Sequence, residues 1–260
     1  MPDALARVIY PVVVLIAVIL LWQWGADRSL FPAYILPAPS AITARVVDTA
    51  PILLGHAVVT TVEIICGFIL AIAFGVLLAW LLAHVRLFEQ AFYPWIVFVQ
   101  VLPKVALGPL LVVWIGVGFL PKALVSFLLA FFPIMIDTLA GLKSVQRDQV
   151  FLLRSMGAGP FRKFIRFQLP HALPYIFASL KVAITLAVVG AIVGEFIGAD
   201  DGLGYVLITA TGTMDTVLIF VALVWISVLS LLLYGMVTLS ERIFVSWQTT
   251  ARHRQSMDET

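Results

Sequence analysis

Apolar residues run through this chain in blocks far longer than one helix face or one buried strand needs. Val8 to Ala26 holds 19 residues without a charge, between Arg7 and Asp27. Ile64 to Ala83 holds 20, between Glu63 and His84, and Thr216 to Ser240 holds 25, closed by Glu241 and Arg242. As helices rising 1.5 Å per residue, blocks of this length cross about 30 Å of hydrocarbon. Three further blocks are interrupted. Phe88 to about Gly116 contains Pro103, Lys104 and Pro109; Lys122 to Leu142 contains Asp137; His171 to Gly198 contains Lys181 and Glu195. The pattern predicts six membrane-spanning helices. Runs so long, without alternation and rich in Leu, Val, Ile and Ala, exclude a β-barrel.

Composition agrees. Of 260 residues, 62% are hydrophobic and 12% charged, against about 25% charged in a soluble domain. The polar residues are too few to cover a water-soluble globule, which predicts an all-α polytopic membrane protein. The net charge of +2 gives no reason to expect a nucleic-acid partner. One cysteine, Cys66, forms no intrachain disulfide, and the absence of Asn removes any glycosylation sequon. The first block exceeds the ~7–15 apolar residues of a signal peptide, so it is read as a span. Trp22 and Trp24 are its interfacial anchors.

Lys and Arg set the orientation. With the N-terminus inside, eleven of the sixteen lie on the inner side, three (Arg28, Arg45 and Lys122) on the outer side, and Lys104 and Lys181 within spans. That bias predicts both termini in the cytoplasm. Asp27 to Gly55, with four prolines, reads as a long outer segment. Ala199 to Asp215, with three acids and no base, reads as the last one.

The largest inner loop runs from about Lys143 to Pro170. Asp148 favours a helix start, Gly157 a left-handed stop, and Pro160 the first position of a second short helix. Phe161, Phe164, Ile165 and Leu169 recur at helical spacing among Arg162, Lys163 and Arg166. By composition alone this is a basic interfacial loop that contacts anionic lipid. Its spacing says more. Gly157 is followed by Phe167-Gln168-Leu169-Pro170, and Arg154-Ser155-Met156-Gly157-Ala158 precedes Gly159-Pro160-Phe161. This resembles the cytoplasmic loop of binding-protein-dependent ABC importer permeases: Glu-Ala-Ala, three residues, Gly, nine residues, Ile, any residue, Leu-Pro. The chain departs at the front, where Phe151, Leu152 and Leu153 stand at the Glu-Ala-Ala positions.

Further segments resemble the nitrate/sulfonate/taurine subgroup of these permeases, over most of residues 10–247. They are Leu36-Pro37-Ala38-Pro39-Ser40, Gly67-Phe68, Gly75, Pro103-Lys104-Val105-Ala106, Pro109-Leu110, Trp114-Ile115-Gly116, Phe132-Pro133, Gly141, Glu195-Phe196 and Gly202-Leu203-Gly204-Tyr205. The resemblance implies the type I ABC importer fold, with residues 1–260 as a single permease domain, a core at about 50–245 and a coupling loop at about 143–170. It implies a bacterial inner-membrane importer, a homodimer of permease subunits, two cytoplasmic ATPase subunits and an extracytoplasmic substrate-binding protein. Residues Arg154, Ser155, Met156, Gly157, Ala158, Gly159, Pro160 and Phe161 are the expected ATPase contact. ATP and Mg are expected on the ATPase, since no Gly-Lys dipeptide, and so no phosphate loop, occurs here. The implied solute is a small anion such as nitrate, bicarbonate, taurine or an aromatic carboxylate, although related members carry neutral heteroaromatic precursors.

Charges inside spans are functional candidates. Lys104, at the proline-broken third span, suits an anion in the pathway or neutralises an acid on another span. Glu195 and Lys181 lie 14 residues apart, on one face and ~21 Å apart along a helix. They share a pathway-facing stripe, or Lys181 snorkels to the inner interface. Asp137 is a pathway group or an interfacial acid, and Glu63 is read as a solvated interfacial acid. His56 and His84 have no partner at metal-ligand spacing, and no catalytic grouping is visible. The alternative is a secondary transporter or channel, which needs its own ion-coupling site, often within inverted repeats; the sequence shows no repeat.

A β-branched side chain at a left-handed position is strained by ~1–2 kcal/mol. Gly157→Val is therefore expected to lower ATPase coupling while membrane insertion survives, as measured by stimulated ATP hydrolysis of the assembled complex. Normal hydrolysis would remove the assigned turn.

Overall fold

The computed structural model describes residues 2–145, 159 and 164–245, with side chains from residue 9 onward. Among these residues every regular element is helical. Helix α1 (Pro2–Asp27) is followed by α2 (Pro39–His84) and α3 (Arg86–Val101). A 3₁₀ turn (Lys104–Leu107) leads to α4 (Gly108–Ile115), and α5 is Phe119–Lys143. A π turn (Phe164–Gln168) opens α6 (Leu169–Gly198), which precedes the short α7 (Leu203–Gly212) and α8 (Thr216–Phe244). Among the described residues five helices are long and apolar enough to cross a membrane, and the count reaches six where the α3–α4 pair, bent by 89°, is taken as one broken span. The protein is a multi-pass membrane protein.

Two expected loops are helical. The outer segment Asp27–Gly55 shrinks, because α2 begins at Pro39 and runs for 46 residues, about 69 Å. Pro39 opens the helix, where its missing N–H costs nothing, and Pro51 is accommodated inside it. The prolines conceal a 3.6-residue period. Ile42, Leu53, Ala57, Thr60, Glu63, Ile64, Gly67, Ala71, Gly75, Ala79 and Leu82 form one buried stripe along α2. The Ala199–Asp215 segment contains α7, entered through Gly202 at φ 106°.

The chain packs as two units. One takes Met1–Val59 and Asp200–Ser227. There, Trp22 meets Phe220 with ring centres 5.7 Å apart, and Arg45 pairs with Asp215 at 3.6 Å. The Thr216 hydroxyl donates to the Tyr34 carbonyl at 2.6 Å, and Gly202 N–H donates to His56 Nδ1 at 3.1 Å.

The other unit takes Thr60–Ala199 and Val228–Thr260, and its centre is α5. Lipid offers no hydrophobic drive for helices to associate, so close packing must supply it. Small residues allow the approach. A Cβ on Gly190 would lie 2.6 Å from the Ser126 Cα, and one on Gly194 would lie 2.9 Å from the Lys122 Cα. At the other end, Gly141 faces Ala172 and Tyr175. These contacts make α5 and α6 an antiparallel hairpin. On the opposite side Gly67 of α2 meets Ala123 and Ser126, and Gly75 meets Ile134, so α2 and α5 run in the same direction. The Ser126 hydroxyl donates to the Ala187 carbonyl at 3.0 Å across the seam. Over half of α5 and α6 is buried, whereas α1 is almost wholly exposed and α3 buries no residue.

Gly190→Ala and Gly194→Ala are each expected to push α5 and α6 apart, at ~1–3 kcal/mol for an overpacked contact. Gly55→Ala, with no atom within 4 Å of the added Cβ, is the control for the ~0.5–1 kcal/mol that alanine gains over glycine inside a helix. Thermal unfolding of the detergent-solubilised protein measures all three; equal midpoints would show that the seam tolerates a methyl group.

Candidate functional site

The third span breaks because Pro103 lacks a donor and forces the residue before it out of the helical region. Leu102 accordingly sits at φ −62°, ψ 140°. The chain restarts through the 3₁₀ turn and Gly108-Pro109, with proline at the start of α4. Gly108 is buried against Ile197 and Val125, which holds the restart on α5 and α6.

Lys104 lies at this break, half-buried. Its Nζ donates to the Gln100 carbonyl at 2.7 Å, one of the acceptors left open where α3 ends. The same ammonium lies 4.8 Å from the ring centre of Phe132 on α5, a cation–π distance. Among the described residues its partners are thus a carbonyl and an aromatic face. The lysine stands beside an interruption that membrane proteins tolerate only in protein or at a cavity.

Glu63 and Lys122 are placed differently from the sequence reading. Neither a solvated interfacial acid nor an outer-surface cation is found: Glu63 is 0% exposed, Lys122 5% and Glu195 1%. Lys122 Nζ lies 2.5 Å from Glu63 Oε1. The Thr60 hydroxyl, one turn before Glu63 on the same stripe, donates to Glu195 Oε1 at 2.6 Å. Glu195 is close enough to Glu63 for the two carboxyls to interact directly. Three helices thus contribute one buried polar set: Thr60 and Glu63 from α2, Lys122 from α5, Glu195 from α6. Removing one partner of a buried ion pair costs about 3–5 kcal/mol, because the other charge is left unpaired. The i, i+3 placement of Thr60 and Glu63 was visible in the sequence. Their partners on distant helices were not, and Lys122 was missed because it stands at the edge of its apolar block.

Lys181 pairs with Glu241 of α8 at 2.7 Å, both about a quarter exposed. It therefore meets a carboxylate rather than reaching for the interface alone, and it is not brought to Glu195. Asp137 is half-buried on α5 beside the fully buried Thr138. Among the coupling residues, Gly159 is exposed with open space around it. Arg154, Ser155, Met156, Gly157, Ala158, Pro160 and Phe161 lie outside the described residues. Where α5 and α6 approach the loop, further polar ties appear. His84 Nε2 lies 3.0 Å from Gln168 Oε1, Lys143 pairs with Glu89, and the Ser144 hydroxyl donates to the Gly141 carbonyl at 2.7 Å. Beside them an apolar cavity of about 770 Å³ is lined by Ile72, Val76, Trp80, His84 and Phe164, among others. Among the described residues no group of three His, Cys, Asp or Glu could hold a metal.

Long apolar helices, one pair broken by proline, with charged side chains paired between helices, are those of a multi-pass membrane protein. Residues 71–244 match the binding-protein-dependent transport system inner membrane component family, and the chain belongs to that family. It is an ABC importer permease of the nitrate/sulfonate/taurine type. The riboflavin transport system permease of Chloroflexus aurantiacus is 35% identical over 240 residues, 92% of this chain and 90% of that one. The putative aliphatic sulfonates transport permease of Bacillus subtilis is 26% identical over 235 residues, 90% and 85%. The inward-facing MetNI methionine ABC transporter covers 76% of this chain and 98% of its own, with TM-score 0.65 and 16% identity, which shows the type I importer fold. The family is a permease component, and ATP hydrolysis in such systems lies in a partner subunit. This family membership displaces the secondary-transporter reading.

Charge pairing across the α2–α5 contact generates a prediction. Lys122→Met is expected to destabilise the purified subunit by about 3–5 kcal/mol, and Glu63→Gln/Lys122→Met by less than the sum of the single changes. Thermal unfolding of the four proteins closes the cycle; additive effects would show that the two residues do not interact.

Proposed function

We propose that two copies of this subunit enclose a pathway carrying a small anionic solute into a bacterial cytoplasm across the inner membrane. The observation that carries this reading is Lys104. It is an ammonium whose partners among the described residues are a carbonyl and an aromatic ring, set at the break of a span. A fixed cation there attracts an anion and disfavours a cation. The largely exposed α3 supports a second permease copy, because it leaves an apolar surface beside the break that is uncovered among the described residues. The excess of Lys and Arg on one side supports cytoplasmic termini. In this reading the loop at about 143–170 docks on a cytoplasmic ATPase, which holds ATP and Mg. A binding protein presents the solute at the outer face, and the sulfonate permease relative agrees with an anionic cargo.

A second reading has a specific observation behind it. The riboflavin permease relative, at the higher identity, favours a neutral heteroaromatic solute. The Phe132 face beside Lys104 suits a ring as well as a charge.

The two separate on one residue. In proteoliposomes containing the full complex, with taurine and riboflavin as probes, Lys104→Met is expected to lower anion uptake at least tenfold without loss of assembly. Lys104→Arg should retain more activity. Binding-protein affinity is measured separately. Wild-type anion uptake by Lys104→Met would return this lysine to a structural role, and riboflavin uptake that survives the change would favour the heteroaromatic reading.

A further inference from the structure

We propose that Glu63, Lys122 and Glu195 form a register lock. It makes α2, α5 and α6 one rigid lever from the loop between α5 and α6 to the opposite end of the bundle. The three are positioning residues for coupled transport, and the inference rests on the reading of the chain as an ATP-driven importer subunit.

The seam between these helices is made of small residues repeated about every turn. Gly67, Ala71, Gly75 and Ala79 lie along α2, and Ala183, Ala187, Gly190 and Gly194 along α6, all buried. Such faces pack closely, and because they repeat every turn, α2 and α6 present much the same smooth surface to α5 after a slide of one turn. Without a hydrophobic drive in lipid, the seam alone specifies its register weakly.

The charged set is different in kind, because it is a point contact. Lys122 Nζ is 2.5 Å from Glu63 Oε1, and the Thr60 hydroxyl is 2.6 Å from Glu195 Oε1. A slide of one turn, about 5.4 Å, separates both pairs and strands charge in a dry interior. Fixing register is the best-attested use of a buried polar group.

Position gives the lock its mechanical meaning. It sits at the start of α5 and the end of α6, farthest from the loop. At the loop end, Gly141 packs on Ala172 and Tyr175, and His84 meets Gln168. From Lys122 to Gly141 the hairpin is about 28 Å long, close to the hydrocarbon thickness of ~30 Å. With both ends pinned, a push on the loop cannot be absorbed by α5 slipping along its neighbours. It moves the far end instead.

The test uses the full complex with its ATPase, in a Cys66→Ser background. Spin labels are placed at Val62→Cys on α2 and Val182→Cys on α6, both about half exposed. Pulsed electron resonance reads their separation without nucleotide and with ATP and vanadate. With the native charges the separation is expected to stay within about 2 Å between states. Adding Lys122→Met is expected to broaden it and shift it by about one turn (~5 Å) in the trapped state. The exchange Glu63→Lys/Lys122→Glu is expected to restore it, and this exchange carries the test if Lys122→Met does not insert. A constant separation in Lys122→Met, a shift already present with native charges, or an exchange that fails to restore the distance overturns the lock. ATP hydrolysis by the unsubstituted complex is measured in the same preparation. Its absence counts against the importer reading, whereas the distances judge the lock.

Discussion

The close approach of α5 to its two neighbours is the contact on which the rest depends. Gly67 of α2 on one side, with Gly190 and Gly194 of α6 on the other, brings the α5 backbone within reach of both helices. Only because the helices touch can Lys122 meet Glu63, and Ser126 reach the Ala187 carbonyl. With larger residues at those positions the gap would widen by more than a hydrogen bond can span. The charges would then be buried without partners, which a membrane interior penalises heavily. Packing and polar satisfaction are therefore one constraint here.

Three lysines inside the spans meet that constraint in different ways. Lys122 is fully enclosed and faces Glu63; Lys181 is partly exposed and faces Glu241. Lys104 faces a carbonyl and a ring. The first two are neutralised by their partners and hold helices together. The third meets an open backbone carbonyl that the proline break supplies, where an intact helix would supply none. Holding helices and presenting a charge are thus separated along the chain, one in the continuous spans and the other in the interrupted one.

Secondary structure was legible where it rested on local rules. The break at Pro103 followed from the missing donor, and the spans followed from charge gaps longer than the bilayer is thick. The helical start at Pro39 was hidden because proline and a charged, loop-like composition outweighed a regular period that becomes visible only with burial. Helix α7 was hidden in the same way, behind acids and glycines. Glu63 looked solvated because a carboxylate at the edge of an apolar block is usually interfacial. Nothing near it in the chain announces a lysine on another helix.

Sequence by itself determined that the chain crosses a membrane, how many times, where the third span breaks, and which permease family its spacing resembles. Those properties depend on hydrophobic length, on proline stereochemistry and on motif spacing, which are all local. Tertiary structure alone decided which charges are paired and what Lys104 faces. Ion pairing depends on distances of a few ångströms between residues far apart in the chain, and the small-residue seam sets those distances. A helix turned or shifted by one residue would present the same sequence to different partners.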